Sequence, residues 1–130
     1  MSRNIALVLV AFSLAAVSGC GSSEAKPYLT ATVPVKGKVI YQGKNLTGGS
    51  IIFEPEGAGR EARGTIQADG TFTLSTYAKD DGAVLGPHRV AVDGKSNDGK
   101  ALPIKFKNFS SSKYEIEITQ DKAEYAIDLK

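Results

Sequence analysis

The sequence predicts an all-β chain, a single antiparallel β-sandwich of about seven strands behind an N-terminal leader. Three observations point there. From Val35 onward, short segments alternate apolar and polar residues with a period of two, which places one set of side chains on each face of a strand. Clusters of Gly, Asn, Asp and Ser separate these segments, as turns do. No segment after Cys20 carries apolar residues at helical spacing, and that periodicity is the primary helix signal. Of 130 residues, the about 110 that follow the leader suffice for one domain and one core.

Residues 1–19 read as a secretory leader: Arg3 supplies an early positive charge, Ile5 to Val17 is almost wholly apolar, and Ser18 and Gly19 precede Cys20. That is the three-part layout of a signal peptide. The apolar run, about 13 residues long, falls short of the roughly 20 that span a bilayer. "VSGC" resembles the bacterial lipobox, which implies cleavage before Cys20 and lipid on its sulfur. A lone cysteine is commonly a small buried hydrophobe, but Gly19, Gly21, Ser22 and Ser23 offer Cys20 no core to enter. One acyl chain binds membranes only marginally, and the lipobox resemblance implies a diacylglyceryl group, often with an amide-linked acyl chain. The expected partner of Cys20 is therefore a bacterial envelope membrane. Gly21 stands where an inner-membrane retention signal has Asp, which favours the outer membrane, on its periplasmic or exposed side.

Residues 20–32 form the lipidated cysteine and a tether. "GSSEAKPYLTA" is small, polar and broken by Pro27; about 11 residues reach no more than about 40 Å when fully extended. The sandwich occupies residues 33–130. Its first strand, Val35 to Gln42, turns Val35, Gly37, Val39 and Tyr41 to one face. "GKNLTGG" is a turn, and Ser50 to Glu56 resumes the sheet with Ile51 and Phe53 inward, Ile52 blurring the alternation and Pro55 ending it. "ARGTIQADGTFTL" reads as a tight hairpin, with Asp69-Gly70 supplying positive φ and Phe72 and Leu74 entering the core. His88, Val90 and Val92 then alternate with Arg89, Ala91 and Asp93. "KSNDGKALPIKFKNFSSS" lacks clean alternation and is expected to wrap over one end. The final strands turn Tyr114, Ile116 and Ile118, then Tyr125, Ile127 and Leu129, inward.

Without Arg3, 15 basic residues face 14 acidic ones. That near balance gives no electrostatic reason to expect nucleic acid as a partner. The chain holds one His, one Cys and no Trp, too few ligands for a metal or nucleophile centre. No catalytic residue, metal or cofactor is expected. His88, in phase with the valines, reads as a partly buried structural histidine. Asp80, Asp81, Asp93, Asp98, Glu54 and Glu56 carry the oxygen ligands calcium takes, but lack the spacing of a calcium-binding loop and read as solvated carboxylates. A partner site, if one exists, is expected at Lys105, Phe106, Lys107 and Phe109, which interleave charge and aromatic surface in the longest irregular stretch. Exposure of both phenylalanines on one patch would favour ligand binding; burial of both would favour a plain structural module.

"VKGKVIYQGKNLTGGSIIFEPEG", "ADGTFTL", "DGAVLGPHRVAV" and "LPIKFKN" together resemble the carboxypeptidase regulatory-like domain of small bacterial envelope lipoproteins. The resemblance implies a transthyretin-like (prealbumin-like) sandwich, related in architecture to immunoglobulin domains, and an accessory role. Enzymes of similar fold use several histidines, or two tyrosines with two histidines on iron, and His88 alone cannot supply either set. The expected function is a lipid-anchored, non-enzymatic envelope protein acting as a structural or protein-binding module. The alternative is a carbohydrate-binding or adhesive module with an envelope protein or glycan as partner.

Overall fold

A computed structural model describes residues 30–130 and shows a β-sandwich. Its strands are β1 (Thr32–Val33), β2 (Lys36–Tyr41), β3 (Lys44–Asn45), β4 (Gly48–Pro55), β5 (Ala62–Ile66), β6 (Thr71–Thr73), β7 (Ala83–Val84), β8 (Gly86–Lys95), β9 (Tyr114–Ile118) and β10 (Glu124–Leu129). The strands expected from alternation are all present, and the short β1, β3 and β7 are added to them. Thr32, placed in the tether by sequence, already stands in strand register opposite Val84.

One sheet is antiparallel throughout, in the order β5-β4-β8-β9, with Ile51 opposite both Gly64 and Val92, and His88 opposite Ile116. β1 and β7 pair in a separate two-stranded ribbon, and in the second four-stranded sheet β2 is central. β10 lies along one edge of it, while β6 and β3 share the opposite edge, at Gly37↔Phe72 and Tyr41↔Lys44. The two inner faces meet in a core built from Val39, Ile51, Phe53, Phe72, Leu74, Val92, Ile127 and Leu129, all buried. This is the two-layer packing that period-two patterning produces when each sheet has one apolar face. Pro55 is the last residue of β4, as a residue without an N–H should be. Ile52 points to the outer face, half-buried, directly opposite the small Ala91.

Several details depart from the sequence reading. β10 runs parallel to β2, from Lys36↔Glu124 to Tyr41↔Leu129, within an otherwise antiparallel fold. The "ADG" turn is closed by Gln67 N–H to Thr71 O at 2.8 Å and Gly70 N–H to Gln67 O at 2.9 Å, but its two arms join different sheets. Of the Asp69-Gly70 pair only Gly70, at φ 86°, adopts the left-handed conformation; Asp69 instead accepts bonds from the Thr71 amide and hydroxyl. His88 is fully enclosed rather than partly buried, because β4 and β9 flank it and the Phe53 ring stands 6.1 Å away. The irregular stretch holds a 3-10 turn at Ile104–Lys107 and one α-helical turn, α1, at Phe109–Ser112.

Candidate functional site

The segment carrying Lys105, Phe106, Lys107 and Phe109 runs beside the last half of β8, where β9 does not reach. Leu102 N–H bonds to Gly94 O at 3.0 Å, and the Ser112 hydroxyl donates to Val90 O at 2.6 Å. Phe106 is buried, with its ring set edge-on to Tyr41 at 5.7 Å between centroids. Phe109 is half-buried with the Arg89 guanidinium 5.8 Å from its ring centre, and Arg89 also pairs with Glu54. The two phenylalanines therefore do not form one exposed patch. Lys105 Nζ stands 4.8 Å above the Phe106 ring and donates to Lys130 O at 3.2 Å. Lys107 Nζ lies 3.3 Å from Asp93 Oδ1. Cys20 lies outside the described residues.

The loops at this end of the sandwich also build a cleft that the sequence reading missed. One wall is the β2–β3 turn, where Gln42 and Gly43 have φ of 50° and 76°; two positive values are the signature of a type I′ hairpin turn, and glycine meets that demand without strain. The other wall is the turn from Ser96 to Lys100, closed by Ser96 N–H to Lys100 O and Gly99 N–H to Ser96 O, each 2.9 Å. Asp98 braces it by accepting from the Ser96 hydroxyl and from Lys100 N–H. Those two bonds, the hydroxyl first, hold the Asp98 carboxyl below its usual range. The open cleft between the turns has a volume of about 290 Å³ and is lined chiefly by Tyr41, Gln42, Lys44, Asn97, Asp98 and Lys100. Its sequence signals are the dipeptides Gln42-Gly43 and Asp98-Gly99. Two larger, shallower clefts lie elsewhere, one of about 670 Å³ between β5 and β6 and one of about 680 Å³ across β2 and β10.

The carboxylates weighed as calcium ligands are dispersed: Glu54 serves Arg89, Asp93 serves Lys107, and Asp98 braces its own turn. Asp81 accepts from the amides of Thr76, Tyr77 and Ala78 at 2.6, 2.9 and 3.0 Å. Burial pushes its carboxyl up, but those three amides outweigh burial and leave it below the ordinary carboxylate range. Among the described residues no three such side chains gather as a metal site would require.

No family model matches the chain, and no curated protein matches it. Among solved structures it is similar to a crystal structure of the major pilin subunit of Bacillus cereus, with 11% identity and a TM-score of 0.45 over 76% of this chain. The chain spans 29% of the length of that pilin subunit.

Proposed function

We propose that the protein is a non-enzymatic lipoprotein of the bacterial cell envelope, whose sandwich acts as a structural or protein-binding module of the carboxypeptidase regulatory-like kind. One observation carries this reading: among the described residues strand pairing begins at Thr32, and the sequence between it and Cys20 is the small, polar run from Gly21 to Ala31. Lipid on Cys20 would hold the sandwich within about 40 Å of a membrane surface. The quoted motifs support the domain type. Enclosure of His88, the one histidine of the chain, supports a non-catalytic role, because a general base must reach its substrate.

The decisive experiment is mass spectrometry of the N-terminal peptide from membrane-derived protein, with Cys20→Ser in parallel. The expected result is a diacylglyceryl-modified Cys20 at the mature N-terminus, and a variant that is either uncut or released from the membrane. An unmodified thiol at Cys20 in the membrane fraction would exclude the anchor.

A further inference from the structure

The cleft between the Gln42–Gly43 turn and the Ser96–Lys100 turn brings a partly exposed aromatic ring together with exposed amide and ammonium groups. Tyr41 packs against the core and is half-buried, its remaining surface bordering the cleft, and Phe106 meets its ring edge-on at an interplanar angle of 74°. A flat apolar ring beside polar groups is the surface on which a sugar stacks. The exposed amides of Gln42 and Asn97 offer donors and acceptors for hydroxyls, and the Lys44 ammonium group offers a cation for an acid. Asp98 is the counter-charge: its Oδ1 accepts from the Ser96 hydroxyl and the Lys100 amide, and its Oδ2 lies 3.9 Å from the Lys100 ammonium. With Lys44 and Lys100 set against Asp98, one positive charge remains in the cleft.

The same end of the molecule also carries Lys95, the last residue of β8, and Lys105, whose ammonium group donates to Lys130 O. A field of one sign draws in a ligand of the other. From these observations we infer that the cleft takes one acidic sugar residue of an anionic glycan, with the surrounding lysines meeting its neighbours along the polymer. A volume of about 290 Å³ sits at the lower end of small-ligand pockets, which suits a single ring better than an extended acidic peptide. Both walls are tight turns closed by their own hydrogen bonds, so little ordering remains for binding to require. The site lies at the far end of β2 from β1, where the chain enters the fold, and it does not depend on how Cys20 is modified.

The test uses the full-length protein in detergent, with polygalacturonate as the acidic glycan, dextran as a neutral glycan and polyglutamate as an acidic peptide. Saturable binding of polygalacturonate is expected, with no binding of dextran and at least about tenfold weaker binding of polyglutamate. Lys44→Gln with Lys100→Gln should lower the affinity for polygalacturonate by about tenfold or more while leaving the melting temperature in place, since both lysines are exposed. Lys36→Gln with Lys122→Gln, remote from the cleft, should leave the affinity unchanged. The inference is overturned by absent binding, by equal binding of polyglutamate, by an undiminished affinity in the cleft variant, or by an equal loss in the remote one.

Discussion

His88 shows how one residue can set a property of the whole fold. Its Nδ1 lies 2.9 Å from Gly86 O, so the neutral ring places its proton there, and Nε2 finds no hydrogen-bond partner among the described residues. Burial pushes the imidazole pKa below its ordinary value; the Gly86 carbonyl and the Glu56 carboxylate pull the other way without overcoming it. The unfolded chain therefore takes up the proton first as pH falls below about 6.5. Stability from the neutral, enclosed ring is complete above that pH and is lost as pH drops toward the lowered folded-state pKa. Asp69, Asp81 and Asp98, all with lowered pKa values, weaken the fold only as pH falls through the carboxylate range near about 3.9, so they leave this window clear. Urea midpoints measured from about pH 7.5 to about pH 5 should fall for the parent and stay level for His88→Phe, which keeps a ring of similar shape. Equal slopes in the two proteins would mean that the ring titrates freely in the folded state.

At the scale of elements, β5 and β6 show what alternation reveals and what it hides. The arms are bonded at the turn and again at Arg63 and Ser75, at 2.9 and 2.8 Å, yet β5 pairs with β4 and β6 with β2. One hairpin thus ties the two sheets together. Phe72 on β6 meets Phe53 across the core at 6.0 Å between ring centres. Phe72→Ala should cost about 3 to 5 kcal/mol, a large share of the roughly 5 to 15 kcal/mol that holds a domain together. Chemical denaturation measures this directly, and a loss below about 1 kcal/mol would show that the neighbours collapse into the space. The inward face of each long strand was legible because period two is local and follows from the backbone itself. Partner choice was not, since nothing inside "ARGTIQADGTFTL" says that its halves belong to different sheets. The same limit hid the binding cleft. Tyr41 alternates inward and packs against the core, and its remaining surface borders a cleft only because the Gln42–Gly43 turn and a loop distant in sequence meet there.

The whole molecule is closed by its last strand lying parallel to its first long one, β10 on β2. Antiparallel neighbours can be joined by a tight turn, but parallel ones need a crossover, and here nearly the entire domain provides it. The exposed Lys36–Glu124 ion pair at 3.2 Å marks one end of that junction and contributes little on its own. What holds β10 is burial: Tyr125, Ile127 and Leu129 are 4%, 0% and 1% exposed. At roughly 1.5 to 3 kcal/mol for each large apolar side chain, their combined contribution rivals the net stability of a domain. Removing them also strips the backbone partners from one whole edge of β2. A chain ended after Ala123 is therefore expected to lose cooperative folding altogether, although every other strand and turn remains encoded in it. Circular dichroism during heating should show a sharp transition for the intact protein and none for the truncated one. Retention of a sharp transition in the shortened chain would mean that the antiparallel sheet, with β2 and β6, folds without closure.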